Sequence, residues 1–164
     1  MAKVNLHQDF KELLESLNSA GVRYLVLGGY AVIFYGYRRV TDDLDLWIST
    51  DPANAEKVAE TLRAFGGFTK QQANQSMFRT RGRVFVLGRE PVRVDILTNP
   101  DALDFDDCYA RRHVVEWDGV KVPVIAFEDL RRNKKASGRA KDLADLENLP
   151  SFEAPKPRKR RRGK

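Results

Sequence analysis

The sequence has few of the residues that form disulfides and histidine-based sites. It contains 1 cysteine, Cys108, and 2 histidines, His7 and His113. A single cysteine excludes an intramolecular disulfide and favours a reducing, cytoplasmic setting. The two histidines are far apart and lack the spacing of metal ligands, so we expect neither to bind a metal or to act as a base. Cys108 is expected to be a small buried residue.

Long apolar runs are also missing. No run approaches the length that crosses a bilayer, which predicts no membrane association. The opening stretch MAKVNLHQDFKELLESL is too charged for a signal peptide and has the pattern of an amphipathic helix. At 164 residues and 42% hydrophobic composition, the chain is long enough for one domain with its own core.

Acidic residues are absent from the last part of the chain. Residues 156–164 contain 7 of the 29 basic residues and no acid, which leaves 22 basic against 23 acidic residues elsewhere. We therefore predict a nearly neutral domain over residues 1–150 and a disordered basic tail over residues 151–164. Such a tail either binds nucleic acid through counterion release or serves only as a solubilising end.

Hydrophobic periodicity predicts alternating helices and strands. Helices are expected over 6–17, 30–35, 52–65, 101–110 and 127–149, the last with a break near Gly138. Strands are expected over 23–27, 43–48, 76–79, 84–87, 92–97, 114–117 and 120–124. This order indicates an α/β or α+β domain in which helices flank a mixed central sheet.

Three aspartates on two predicted strands are the first candidate site. Asp43 and Asp45 are two residues apart, so their side chains leave the same face of a strand while the leucines between and after them enter the core. Asp95 lies in a later apolar strand and would join them if the two strands pair. Carboxylates this close repel each other, and a hard divalent ion such as Mg²⁺ would relieve that repulsion.

Two glycines supply the second candidate feature. Gly28 and Gly29 follow a buried strand and precede a short helix. Backbone N–H groups are free at such a turn, and the lack of side chains lets phosphate groups approach the backbone closely. A simple turn would explain the glycines alone, but the acidic pair that follows favours a phosphate site facing a metal site.

These motifs resemble a known superfamily. Leu27-Gly28-Gly29, thirteen residues, and then Asp43-Leu44-Asp45-Leu46 is similar to the signature of the nucleotidyltransferases with the polymerase-beta-like fold. The stretch from Gly36 to Asp45 resembles the bacterial branch that includes the AbiEii-type toxins. Asp95 between Val94 and Ile96 is similar to the third acid of the superfamily, and residues 133–146 resemble a later helix of that branch.

The resemblance implies a function and residue roles. Asp43 and Asp45 would bind Mg²⁺, Asp95 would join them and help to activate an acceptor hydroxyl, and Gly28 and Gly29 would receive the β- and γ-phosphates. The reaction would move NMP from an NTP to an RNA 3′ end, such as that of tRNA, or to a protein side chain. The biological setting would be a toxin–antitoxin or phage-defence system. Glycine at position 29 departs from the serine common in the pattern.

Further basic and polar residues are weaker candidates. Arg39 and Thr41 precede the acidic strand, where the arginine would contact phosphate or pair with the acids. The resemblance gives Lys141 a triphosphate contact, although an ordinary surface ion pair with Asp145 explains it equally well. Lys134, Lys135 and Arg139 have the pattern of a solvated helix face. Arg79, Arg81 and Arg83 would form a positive wall for NTP or RNA on a continuous strand, but a turn at Gly82 is an equal alternative.

Two other functions remain open at this stage. A domain that had kept the fold without activity would bind nucleic acid or an antitoxin-like partner through its arginines and tail. A metal-dependent phosphodiesterase would use the same acids. The sequence leaves the preferred base, the acceptor and the oligomeric state undecided.

Overall fold

The structure is a computed structural model that describes residues 4–100 and 102–150. The basic tail predicted over residues 151–164 lies outside the described residues, as does Asp101. No helix in the described part of the chain is both long and apolar enough to cross a membrane.

Seven helices and six strands are described. The helices are α1 (Gln8–Ser19), α2 (Gly28–Phe34), α3 (Pro52–Gly66), α4 (Gln75–Arg79), α5 (Phe105–Ala110), α6 (Phe127–Ser137) and α7 (Ala140–Asn148). The strands are β1 (Tyr24–Leu27), β2 (Asp43–Ile48), β3 (Val84–Arg89), β4 (Val92–Leu97), β5 (His113–Trp117) and β6 (Val120–Val124).

The strands form one mixed sheet in the order β3-β4-β2-β1-β6-β5. The central strand β2 is antiparallel to β1 and parallel to β4, while β1 is parallel to β6. Two antiparallel hairpins, β3–β4 and β5–β6, complete the edges. The sequence prediction of a mixed sheet flanked by helices is confirmed.

The core lies beneath the sheet face opposite the aspartates. Leu44 and Leu46 of β2 and Val94 and Ile96 of β4 are buried, as period-two alternation requires of strands with one covered face. The polar side chains between them stay partly exposed on the other face, so they are not buried in the apolar core: Asp43 and Asp45 on β2, and Arg93 and Asp95 on β4.

One predicted strand is a helix. Residues 76–79 lie in α4, where the Asn74 side chain accepts a hydrogen bond from the Met77 N–H at the helix N-terminus and Phe78 is buried in the core. The helix predicted from residue 101 begins at Phe105, where the Asp104 side chain accepts from the Asp107 N–H. The other predicted elements are present, including the break at Gly138 between α6 and α7.

Candidate active site

Two neighbouring parallel strands bring the predicted acids together. In the register of β2 and β4, Asp45 lies beside Asp95 and Asp43 lies beside Arg93. All four side chains therefore leave the same face of the sheet, as the corners of a small rectangle. Three corners are acidic and one is basic.

The acidic corners destabilise one another when charged. Burial, followed by the negative charges of Asp95 and Asp43, raises the pKa of the Asp45 carboxyl to about 6. The positive charges of Lys134 and Lys141 oppose this shift. Asp45 therefore lies where a cation or a proton lowers the energy of the folded protein.

The basic corner binds one of the acids. Arg93 donates two hydrogen bonds to Asp95, from Nε to Oδ1 at 2.7 Å and from Nη2 to Oδ2 at 3.1 Å. This bidentate pair occupies both oxygens of Asp95. Within residues 4–100 and 102–150, no group of three acidic, histidine or cysteine side chains is arranged to hold a metal ion. The sequence pattern alone did not indicate a pair between Arg93 and Asp95.

The residues nevertheless fit a divalent cation. Asp43 Oδ1 is buried and has no hydrogen-bond partner in the described structure, which is costly for a carboxylate oxygen unless a cation or a water meets it. Oxygen ligands from carboxylates are those that Mg²⁺ takes in proteins. Asp43 and Asp45 would hold such an ion, and Asp95 would join them once its oxygens leave Arg93.

The glycine pair touches the acids directly. Gly28 is the first residue of α2 and has a φ of +61°, a left-handed conformation that favours glycine. A β-carbon at this position would collide with the Asp45 carboxylate. The glycine therefore provides the backbone turn and also leaves the space that the Asp45 side chain occupies.

Gly29 is enclosed by residues from the loop before β2. A β-carbon here would lie 2.5 Å from Thr41 Oγ1 and 3.1 Å from Arg39 Nη2. Thr41 thus fills the space that a serine at position 29 would need, which explains the glycine found there. Thr41 Oγ1 itself donates to the backbone oxygen of Asp43 at 3.2 Å.

Arg39 is held by the C-terminal helices. Its Nη2 donates to Asp145 Oδ2 at 3.1 Å, and its Nε lies 2.9 Å from Oδ1 without the alignment of a hydrogen bond. Asp145 is 2% exposed, so this is a buried ion pair. The predicted pairing of Arg39 with phosphate would need this contact to change.

Of the two alternatives left open for Lys141, the surface ion pair with Asp145 is not formed in the described structure. Asp145 is buried and contacts Lys134 Nζ at 2.8 Å in addition to Arg39, while Lys141 is exposed. The i,i+4 spacing did not reveal this, because it also fits a residue on the inward face of α7, where Lys134 approaches from α6.

Lys134 is likewise not on a solvated face. It is 4% exposed, and its Nζ contacts Asp142 Oδ1 at 3.0 Å as well as Asp145. Ser137 and Arg139 also donate to Asp142. We call Arg39, Lys134, Asp142 and Asp145 the buried ion network. The spacing of Asp142 and Asp145, three residues apart on α7, places them on one helix face but does not indicate whether that face is buried.

A cleft of about 490 Å³ joins the acids to this network. Its lining includes Gly28, Asp45, Asp95, Arg93, Lys134 and Arg139. Of the predicted site residues, Gly28, Asp45 and Asp95 line the cleft. The others are not part of that lining: Gly29, Arg39, Thr41, Asp43 and Lys141. The cleft presents Asp45, Asp95 and Arg93 on the side of the sheet, and Lys134, Arg139 and Asp142 on the side of α6 and α7, so both signs of charge line it.

The family described as "nucleotidyl transferase of unknown function" (DUF2204) matches residues 6–157. The chain belongs to this family. The match spans nearly the whole sequence and includes every residue of the site described above. Family membership makes the protein a nucleotidyltransferase and confirms the superfamily inferred from the glycine and aspartate motifs. No curated protein matches the sequence.

Solved structures support the same fold. A candidate nucleotidyltransferase of Thermotoga maritima (TM1012) superposes with a TM-score of 0.57 at 18% identity over 84% of this chain and 88% of that chain. An antigenic nucleotidyltransferase-like protein from Paracoccidioides brasiliensis gives 0.55 at 19% identity over 84% of this chain and 72% of its own. The lincosamide antibiotic adenylyltransferase LnuA, bound to lincomycin, gives 0.54 at 15% identity over 88% and 96%. These similarities show that the chain has the same fold as the three solved structures.

Proposed function

We propose that the protein is an Mg²⁺-dependent enzyme that moves NMP from an NTP to a hydroxyl acceptor and releases pyrophosphate. The observation that carries the proposal is the set of Asp43, Asp45 and Asp95 on one face of the sheet beside the cleft, with a buried oxygen of Asp43 that lacks a partner. Mg²⁺ bound there would neutralise charge on the triphosphate and favour loss of the proton from the attacking hydroxyl.

Other residues of the site would bind the phosphates and accept the proton of the acceptor. The backbone of Gly28 and Gly29, together with the cations of the cleft, would bind the phosphates, because positive charge on one wall complements the triphosphate. Asp95, freed from Arg93, would accept the proton of the acceptor hydroxyl. The hydroxyl oxygen then bonds to the α-phosphorus as the bond to the pyrophosphate oxygen breaks, with the two oxygens in line.

The acceptor and the biological setting are parts of this proposal. The acceptor hydroxyl belongs to an RNA 3′ end or a protein side chain, and the setting is a toxin–antitoxin or phage-defence system in the cytoplasm. The resemblance to the AbiEii-type branch and the single cysteine support these parts.

The test combines binding and transfer. The four NTPs are compared by thermal shift with and without Mg²⁺, and at least one is expected to raise the melting temperature only when Mg²⁺ is present. Labelled NTP should then transfer its NMP, and the double variant Asp43→Asn, Asp45→Asn should lower that transfer by about 10³-fold or more, since electrostatic and metal terms of this kind contribute several kcal/mol. Transfer that survives the double variant unchanged rules out the proposed metal site.

The same screen separates the non-enzymatic alternative. A silent nucleic-acid-binding domain predicts no Mg²⁺-linked shift with any NTP. A phosphodiesterase predicts hydrolysis of a polynucleotide without release of pyrophosphate from NTP.

A further inference from the structure

Arg93 stands among the carboxylates of the sheet. It lies beside Asp43 of the neighbouring strand and two residues before Asp95 on its own strand, so its side chain leaves the same face as the acids. On the other side, its partner on β3 is Gly88, which has no side chain. Arg93 also lines the cleft. We call the sheet surface formed by Asp43, Asp45, Asp95 and Arg93 the acidic face.

The contact of Arg93 with Asp95 occupies oxygens that a metal ion would use. Both oxygens of Asp95 accept from the guanidinium, at 2.7 and 3.1 Å. Asp43 lies at the next corner, yet its buried Oδ1 has no hydrogen-bond partner in the described structure. Arg93 thus satisfies one acid and leaves its neighbour unsatisfied. A divalent ion can be shared by carboxylates of adjacent strands, which lie about 4.8 Å apart, whereas a guanidinium held against one carboxylate serves that one alone.

The pair between Arg93 and Asp95 is also able to open. The Arg93 side chain is 34% exposed, and in residues 4–100 and 102–150 its guanidinium donates only to Asp95. Ion pairs that water reaches contribute little to folding, so opening this one costs the fold little. Lys134 differs, because it is buried and contacts both Asp142 and Asp145. Of these two cations of the cleft, Arg93 is the one that can change partner.

We propose that Arg93 is a displaceable counter-ion, which holds Asp95 in the metal-free protein and moves to a phosphate of the nucleotide when a divalent ion takes Asp95. This inference rests on the proposed transferase function. The ion and the guanidinium are both positive and need the same oxygens, so they compete for Asp95. After displacement, Arg93 remains anchored on β4 beside a cation and needs another anion. The triphosphate is the anion that the reaction brings, and a guanidinium binds phosphate oxygens in pairs.

This exchange couples the binding of the ion to the binding of the nucleotide. An ion that binds alone must break the contact of Arg93 with Asp95 without giving Arg93 a new partner. An ion that binds with NTP supplies that partner. Each ligand should therefore increase the affinity for the other, as reciprocal coupling requires. Arg93 would thus limit assembly of the acidic face until the nucleotide is present.

The first measurement is the affinity of the full-length protein for Mn²⁺ without nucleotide, followed by the EPR signal of the free ion. Mn²⁺ suits the same oxygen ligands as Mg²⁺. Arg93→Gln removes the competitor and should raise the affinity about tenfold, the effect of one hydrogen bond to a charged group. Arg93→Lys keeps the charge without the paired donors and should raise it by a smaller factor. Arg89→Gln is the matched control, because Arg89 lies on the same hairpin but on the opposite face of the sheet, and it should change nothing.

The second measurement is the affinity for each of the four NTPs at saturating Mn²⁺. Here Arg93→Gln lacks the phosphate contact and should bind the nucleotide about tenfold more weakly. The same substitution is therefore expected to strengthen ion binding and weaken nucleotide binding. A merely structural arginine would not produce these opposite signs. Melting curves in EDTA check that each variant is folded.

Three results would overturn the inference. The first is an Mn²⁺ affinity that Arg93→Gln leaves unchanged or lowers. The second is an Mn²⁺ affinity that rises in Arg93→Gln but is unchanged in Arg93→Lys, which would show repulsion between charges without competition for Asp95. The third is a nucleotide affinity that Arg93→Gln does not weaken.

The same variants separate this inference from the proposed function. If the wild type transfers NMP but Arg93→Gln binds Mn²⁺ no better, the transferase proposal stands and the exchange of partners is wrong. If both predicted changes in affinity are found but no NMP is transferred, the transferase proposal fails and the exchange at Asp95 stands.

Discussion

Two groups of aspartates lie on either side of the same cleft and experience opposite electrostatic surroundings. On the acidic face, burial and the charges of Asp95 and Asp43 raise the pKa of Asp45 to about 6. In the buried ion network, burial alone would raise the pKa of Asp142, but hydrogen bonds from Ser137, Lys134 and Arg139 lower it to about 2. One carboxylate is therefore destabilised by its neighbours, and the other is stabilised.

This difference in pKa distinguishes the acidic face, the candidate cation site, from the buried ion network, which supports the structure. In the network the carboxylates of Asp142 and Asp145 meet buried Lys134 and partly buried Arg39, and each carboxylate has several partners. On the acidic face three acids meet one arginine, and an oxygen of Asp43 has no partner. Residues that are unfavourable in the isolated protein are expected where a ligand compensates them. The network holds α6 and α7 against the loop that carries Arg39, whereas the proposed function assigns a cation to the acidic face.

The largest expected effect comes from removing an acid of the network. Asp145→Ala leaves Arg39 and Lys134 buried beside an empty site, and breaking a buried ion pair in this way costs about 3–5 kcal/mol. The free energy of unfolding, measured by urea denaturation, should fall by that amount. Glu147→Ala on the same helix is the control, because Glu147 is exposed and should change stability by less than about 0.5 kcal/mol. If Asp145→Ala and Glu147→Ala lower the free energy of unfolding equally, the buried ion network does not stabilise the fold.

The sequence was sufficient to predict the acidic face. Alternation of Asp43 and Asp45 with leucines specifies both the strand and the side of the sheet, and the third acid needed only the assumption that β2 and β4 pair. These are local patterns, in which spacing along the chain determines direction in space. The mixed sheet and its hairpins followed from the same kind of pattern.

The buried ion network was not predictable from such patterns. Asp145 meets Arg39 across 106 residues of sequence, and Lys134 reaches α7 only because Gly138 turns the chain back. Spacing within α7 could not reveal whether its acids face solvent or another helix. Charge pairing across long separations depends on tertiary packing, which is why the sequence could not exclude a surface pair between Lys141 and Asp145.

Gly28 and Gly138 have nearly the same backbone conformation but different surroundings. Gly28, beside the acidic face, has a φ of +61°, and Gly138, between α6 and α7, has a φ of +63°. Alanine at either position costs about 1 kcal/mol or slightly more for the left-handed conformation. At Gly138 the new β-carbon meets no atom within 4 Å, whereas at Gly28 it collides with the Asp45 carboxylate. Gly28→Ala should therefore cost about 2–4 kcal/mol in total.

Nucleotide binding provides a second measurement on Gly28→Ala and Gly138→Ala. Gly28→Ala displaces Asp45 and should weaken the Mg²⁺-dependent thermal shift with NTP, while Gly138→Ala should keep that shift at its lower melting temperature. If both glycines respond alike in stability and in nucleotide binding, Gly28 is only a turn residue.

The smallest effect has the opposite sign, since removing a charge from the acidic face should stabilise the metal-free protein. Asp45→Asn keeps the shape of the side chain and ends its repulsion with Asp43 and Asp95, so in EDTA at pH 8 the free energy of unfolding should rise by about 1–3 kcal/mol. The folded pKa of Asp45, about 6, is above the ordinary value of about 3.9. Its contribution to stability is therefore complete below about pH 4 and is lost as the pH rises through 6, so the advantage of the asparagine should vanish at pH 4. Asp42→Asn, an exposed neighbour, should show no such pH-dependent gain. A loss of stability in Asp45→Asn at pH 8 would mean that the acidic face is already compensated within the folded chain, and that the contrast with the buried ion network does not mark a cation site.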